Sequence, residues 1–179
     1  MKLFMLVGCR KVGKDTSAII LCSKLDCNSY AIADPIKDGV CEMLKVNRKW
    51  VEENKDEIIK LPNGFEVTVR SLLIGYGKMI KGFYGLDCFL DKLKEKIVGD
   101  PNKFTVISDG RLLREPEYFR NHFDCVVIKV LRDVDKTEDS NDLTEVEPMM
   151  IKADYEVDNN GTLEELHDQL EYILSKEIE

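Results

Sequence analysis

The chain has 179 residues, 44% of them hydrophobic and 34% charged, which is enough to bury one sizeable core and short for two. Its 34 Asp and Glu outnumber 26 Lys and Arg for a net charge of −8, with both signs spread along the whole length, so no global basic field is present to collect nucleic acid. Six cysteines with no C-x-x-C pair, beside only two histidines, give too few ligands at usable spacing for a zinc framework and read as the reduced thiols of a cytoplasmic protein.

Residues 3–7, Leu-Phe-Met-Leu-Val, form a continuous apolar run ending in Gly8, as expected of a central strand buried on both faces. The run is too short for a signal-peptide core or a membrane span, and no later stretch approaches the ~18 consecutive apolar residues a span needs, so no membrane partner is expected. Residues 14–25 then carry Ala18, Ile19, Cys22 and Leu25 at helical spacing. After a strand-like Tyr30-Ala31-Ile32, the stretches 35–44, 67–80 and 86–98 read as mainly helical. Further buried strands are expected at 104–107, ended by Ser108-Asp109-Gly110, and at 125–130. The segment 133–148 is acidic, poor in large apolar residues and long for a simple connection, which makes it a lid candidate. Asn159-Asn160-Gly161 forms a turn before the last helix, where Thr162 and Glu165 make a capping box and Leu163, Leu166, Leu170, Ile173 and Leu174 line one face. Strands alternating with helices predict an α/β fold, a parallel sheet covered by helices in a single domain, 1–179.

The chemistry begins where Gly8-Cys9-Arg10-Lys11-Val12-Gly13-Lys14 fits G-x-x-x-x-G-K between a strand and a helix. Glycines let the backbone wrap around phosphate, successive N–H groups and the helix start attract the anion, and the lysine reaches the β- and γ-phosphates. A glycine turn with a solvated lysine is the competing reading, and the strand–loop–helix context argues against it. Asp15 stands where the usual motif has Ser or Thr, followed by Thr16, which can donate to a phosphate oxygen. Asp15 is either a hard oxygen ligand for Mg²⁺ or a carboxylate that satisfies the helix start.

Gly13-Lys14-Asp15-Thr16 resembles the phosphate loop of the phage-type deoxynucleoside monophosphate kinases. Ala33-Asp34-Pro35-Ile36-Lys37 resembles that family's A-D-P-x-K segment, and Thr68-Val69-Arg70 with Gly77 its T-x-R element with a following glycine. Ile107-Ser108-Asp109-Gly110-Arg111 with Glu115 is similar to its strand-end D-x-R and downstream glutamate, and Asp154-Tyr155 and Asn160-Gly161-Thr162-Leu163 to its closing elements. The departures are Ile74 and Lys81, where Gln and Arg are expected, and Asp142-Leu143-Thr144-Glu145 in place of H-x-S-E.

The resemblance implies a three-layer P-loop fold of the nucleoside monophosphate kinase type, using ATP and Mg²⁺ on small-molecule nucleotides, in the host's cytoplasm if phage-encoded. It implies that Gly8, Arg10, Lys11, Val12, Gly13, Lys14, Asp15 and Thr16 hold ATP, and that Asp34, Lys37, Arg70, Asp109, Arg111, Thr144 and Glu145 face the acceptor. Arg70 is the best grip for the acceptor's phosphate, because a guanidinium fork matches its oxygens; a solvated helix face is the bland alternative. Asp34 is either an acceptor contact or a helix cap. Asp15 and Asp109 are the Mg²⁺ candidates, and Arg111, Arg114 and Arg132 the candidates to neutralise the transferring phosphoryl, with surface ion pairs as the competing reading. His122 and His167 read as solvated residues; Trp50 reads as a packing residue with base stacking as the alternative, and Tyr76 and Tyr84 are weaker stacking candidates still. A kinase of another small phosphorylated acceptor, phosphomevalonate-like, and a non-catalytic nucleotide-binding module are the alternatives; base preference and homodimer formation are left open.

Overall fold

The computed structural model describes residues 1–133 and 143–178, with the side chains of 143–145 outside the described residues. Among the described residues, fifteen elements follow in chain order: β1 (Lys2–Val7), α1 (Lys14–Leu25), β2 (Asn28–Tyr30), α2 (Asp34–Leu44), α3 (Arg48–Glu53), β3 (Ile58–Lys60), β4 (Glu66–Thr68), α4 (Val69–Tyr84), α5 (Cys88–Val98), β5 (Phe104–Gly110), α6 (Arg114–Arg120), β6 (Asp124–Leu131), α7 (Leu143–Met150), β7 (Tyr155–Asp158) and α8 (Leu163–Glu177). They form two compact units, one of Met1–Ile32 with Lys94–Glu179 and one of Ala33–Leu93.

The first unit is built on a five-stranded sheet in the order β2-β5-β1-β6-β7, and every neighbouring pair is parallel. β1 lies at its centre, and Leu3 to Val7 are each fully buried, which explains why its sequence is uniformly apolar rather than alternating. Phe4 and Leu6 join Ala18 and Leu21 of α1 and Leu166, Leu170, Ile173 and Leu174 of α8 in one continuous core. The capping box forms as expected, with the Thr162 hydroxyl accepting from the Glu165 N–H at 3.2 Å and the Glu165 carboxylate accepting from the Thr162 N–H at 2.7 Å. Two positions of the expected apolar faces are corrected: Ile19 is 71% exposed because Ser17, Ala18 and Leu21 form the buried face of α1, and Leu163, the first residue of α8, is 64% exposed because the stripe begins one turn later.

The second unit pairs α2 with α4 and carries a β3–β4 hairpin in which Ile59 stands opposite Val67. The helices approach through their glycines, with the Tyr76 ring over Gly39 and Ile36 over Gly77. The expected helix over 67–80 starts at Val69 instead, because Thr68 ends β4 and its hydroxyl accepts from the Ser71 N–H at 3.1 Å as the helix cap. The lid candidate 133–148 divides: 134–142 lie outside the described residues, and its end falls in α7. Among the described residues, no helix is long and apolar enough to cross a membrane.

Candidate active site

Because the strands of the large sheet are parallel, the segments that follow β1, β5, β6 and β7 all leave one edge, the carboxyl edge where α/β sheets bind ligands. The segment after β1 is the glycine-rich loop. Gly8 (φ 149°) and Gly13 (φ 104°) take backbone conformations that side chains disfavour, and at Gly13 a Cβ would lie 2.1 Å from Nδ2 of Asn159. Gly13 precedes α1 with no side chain capping the helix, so the amino end of a twelve-residue dipole faces the loop.

Lys14 is the first residue of that helix and is buried, only 6% exposed. Its ammonium donates to the carbonyls of Gly8 at 2.7 Å and Cys9 at 2.6 Å, so the charge sits inside the loop rather than in solvent. Val12 is buried at the end of the loop, Arg10 is half-buried, and Lys11 is exposed with φ 65°. Asp15 and Thr16 stand exposed on the first turn of α1. Asp15 shares an open groove of about 330 Å³ with Ser108 of β5 and with Cys22 and Cys27. A wider hollow of about 540 Å³ lies elsewhere, beside Lys24, Phe104 and Glu171, at the amino end of β5.

Asp109 reaches the same edge from β5, and its Oδ1 accepts the Ile32 N–H at 2.7 Å, which ties down the backbone just beyond β2. The buried Glu115 carboxylate accepts the N–H groups of Arg111 at 2.7 Å and Leu112 at 2.9 Å, while Glu147 accepts that of Leu113 at 2.7 Å. The turn that carries Arg111 is therefore held by two acidic side chains. Arg132 is exposed one residue past β6. Asp154 and Tyr155, which the family resemblance singled out, serve the fold: Asp154 Oδ2 accepts the Val127 N–H and an Arg120 N–H, each at 2.7 Å, and the Tyr155 hydroxyl donates to Glu177 at 2.7 Å.

The acceptor candidates Asp34, Lys37 and Arg70 belong to the second unit, and each has a partner of opposite charge there. Arg48 pairs with the Asp34 carboxylate, donates to the Asp34 carbonyl at 2.9 Å and lies 3.2 Å from Asp38. Asp34 is the first residue of α2 and Ala33 its cap, so Asp34 serves as an ion-pair partner and not as the helix cap. Lys37 lies 2.6 Å from Glu52, which also pairs with Lys55. Burial pushes the Glu52 carboxyl up, but its hydrogen bonds to Lys37 and Lys55 and their charges outweigh that and hold it at about 2. Arg70 presents a two-point fork to Asp56, Nε to Oδ1 at 2.7 Å and Nη2 to Oδ2 at 3.0 Å, and this bond raises its pKa above the ordinary arginine value. Thr144 and Glu145 fall in the first turn of α7, and their side chains lie outside the described residues.

The first unit thus gathers Lys14, Asp15, Asp109, Arg111 and Arg132 on one sheet edge, and the second gathers Asp34 and Lys37 around Arg48 and Glu52. Sequence reasoning missed Asn159 and the carboxylates that hold the basic residues. Asn159 was legible only as a turn residue, although it adjoins the capping box.

Residues 2–64 match the family model described as deoxynucleotide monophosphate kinase. The dephospho-CoA kinase of Campylobacter jejuni matches 98% of this chain and 97% of its own, at 15% identity and a TM-score of 0.56. The chain shares the α/β fold of that kinase. The span matched by the family model includes the phosphate loop, Asp34 and Lys37 and ends before Arg70. A shikimate kinase from Aquifex aeolicus matches 99% of this chain and 98% of its own at 17% identity and a TM-score of 0.49. At 15% identity the likeness to the dephospho-CoA kinase is one of fold. No curated protein matches the sequence.

Proposed function

We propose that the protein transfers the terminal phosphoryl group of ATP to a deoxynucleoside 5'-monophosphate, releasing ADP and the diphosphate. The observation that carries this reading is the Lys14 ammonium, held inside a glycine loop that lies wholly within the span matching the deoxynucleotide monophosphate kinase model.

Phosphoryl transfer asks for alignment and charge neutralisation more than covalent chemistry. The loop 8–13 and the amino end of α1 bind the donor phosphates, and Lys14 neutralises the bridging charge. Asp15 and Asp109 are the oxygen donors for Mg²⁺, and the exposed Asp15 carboxylate at the loop's helix suits a hard cation. When bound, Mg²⁺ spreads the charge that builds on the phosphoryl oxygens. Arg70 exchanges Asp56 for the acceptor's phosphate, since a carboxylate and a phosphate each offer a pair of oxygens that fit its fork. Arg111 and Arg132 are the cations of the sheet edge available to the transferring group.

The test is a coupled ADP-release assay across a panel of deoxynucleoside monophosphates, with shikimate, dephospho-CoA and phosphomevalonate as control acceptors. Release with one or more deoxynucleoside monophosphates and none with the controls supports the reading. Release with a control alone replaces the acceptor, and ATP binding with no acceptor-dependent release identifies a nucleotide-binding module.

A further inference from the structure

Helix α1 ends in a closure that brings two thiols together. Asp26 takes the left-handed conformation (φ 47°, ψ 56°) and its N–H donates to the Cys22 carbonyl, while the Cys27 N–H donates to the same carbonyl at 3.3 Å. The Cys27 bond is the 6→1 bond of a Schellman closure, which folds the residue after the left-handed one back over the last full turn and usually seals the pair with an apolar contact. Here that contact is sulfur on sulfur: Cys27 Sγ lies 3.7 Å from Cys22 Sγ. Both residues are half-buried, and both line the open groove that Asp15 and Ser108 share, so a small solute reaches them.

We propose that Cys22 and Cys27 form a redox-active dithiol that closes reversibly to a disulfide when hydrogen peroxide oxidises the protein. Closing the pair requires the sulfurs to approach to about 2.05 Å, a movement within the rotation of two side chains whose backbones the shared carbonyl already holds together.

The chemistry divides the roles. The hydrogen bond from Cys27 lowers the pKa of Cys22 despite burial, and the same bond, then burial and the carboxylates of Asp100 and Asp26, raise that of Cys27. Cys22 is therefore the thiolate that attacks. Its sulfur bonds to one peroxide oxygen, the O–O bond breaks, and the departing hydroxide takes a proton and leaves as water. The Cys27 sulfur then attacks Cys22 Sγ; the S–S bond forms, the S–O bond breaks, and the leaving hydroxide carries off the Cys27 proton as a second water. Two thiols lose two electrons and one peroxide gains them. Cys125 supplies an internal contrast, since burial, against the weaker pull of Arg120, pushes its thiol up to about 12 and leaves it inert.

The full-length protein, reduced and desalted, is treated with a slight excess of hydrogen peroxide, alkylated and digested with trypsin. Cleavage after Lys24 separates Cys22 in peptide 15–24 from Cys27 in peptide 25–37, so a disulfide appears as a linked pair. The expected result is that linked pair, with loss of the mass of two hydrogens, loss of two free thiols, and recovery of both on adding dithiothreitol. In Cys27→Ser, dimedone traps sulfenic acid at Cys22, whereas the wild type yields little because Cys27 resolves it. Absence of the linked pair in oxidised wild type, or equal dimedone trapping in both proteins, overturns the proposal.

Discussion

The side-chain amide of Asn159, one residue past β7, donates to the Val12 carbonyl at 2.8 Å, so the glycine-rich loop is clamped from the far edge strand of its own sheet. The Asn159 N–H in turn donates to the Leu131 carbonyl at 2.8 Å, which fixes the clamp to the end of β6. Loss of one such bond costs about 1 kcal/mol, and an oxygen turned on the Val12 carbonyl costs more. Asn159→Asp is therefore expected to lower the thermal midpoint and raise the ATP Kd further than Asn159→Ala does. Nucleotide titration and melting curves decide it; an Asp variant that binds ATP like the wild type removes the clamp from the loop's function.

Lys14 is buried with its ammonium on two loop carbonyls, so the test variant should keep the volume. Lys14→Met retains the apolar stem, and removal of one positioned charge in a water-poor site costs on the order of 10² in rate. The expected outcome is a folded protein, by circular dichroism, with phosphoryl transfer reduced by at least that factor. Turnover near normal would contradict the phosphate-loop assignment.

Asp15 is an exposed carboxylate on the first turn of α1, and its two readings differ in one measurement. As a Mg²⁺ ligand, Asp15→Asn shifts the Mg²⁺ titration of activity to higher concentration while nucleotide affinity changes little. As a helix-start carboxylate, the change lowers the stability by the few tenths to ~1 kcal/mol of a dipole interaction, seen as a lower thermal midpoint, and leaves the Mg²⁺ titration where it was.

The large sheet was legible in the sequence because its central strands are short apolar runs buried on both faces, a pattern with one structural solution. β1, β5 and β6 fall where the runs at 3–7, 104–107 and 125–130 place them. The second unit was legible only in part. Ile58 and Phe65 of the hairpin region are exposed, so β3 and β4 carry no buried alternation to reveal them. β7 has one buried residue, Val157, in four, and its place is set instead by Asp154 bonding to β6. The loop, Lys14 and the Thr162 cap were readable because their chemistry is local. The partners of Lys37, Arg70 and Val12 come from 14 to 147 residues away, and composition carries no record of such pairings.

Glu52 gives the second unit a defined acid response. Its carboxyl is held at about 2 against an ordinary 4.5, so it contributes stability that is fully present above 4.5 and is lost as pH falls from there through about 2. The side chain is 40% exposed, and solvent screens part of the effect. Lys37→Ala removes its largest stabilising partner, so the Glu52 pKa should rise toward 4.5 and the acid transition move to higher pH. Trp50, the one tryptophan of the chain, lies in α3 beside Glu52, so its fluorescence followed from pH 4.5 to 2 reads the unit directly. Superimposable profiles for wild type and Lys37→Ala would show that the Lys37 pair does not hold Glu52.

Arg70 carries the acceptor assignment, and its bond to Asp56 makes that assignment testable from both sides. The Asp56 side chain is 78% exposed, and an ion pair of that kind is worth little in water, so a nucleotide phosphate with about two negative charges can displace it. Removing the competitor should then help the substrate: Asp56→Asn is expected to leave the acceptor KM unchanged or lower. Arg70→Lys keeps the charge and loses the fork, so acceptor KM should rise, or kcat/KM fall, by roughly tenfold or more while ATP affinity holds. Deoxynucleosides, which lack the phosphate, should be very poor acceptors for the wild type and no worse for Arg70→Lys. Steady-state kinetics with acceptor and ATP varied separately distinguish the cases. If Arg70→Lys weakens ATP binding and spares the acceptor, the Arg70–Asp56 fork belongs to the donor side or to the fold, and the phosphate grip must be sought among Lys37, Arg48 and the arginines of the sheet edge.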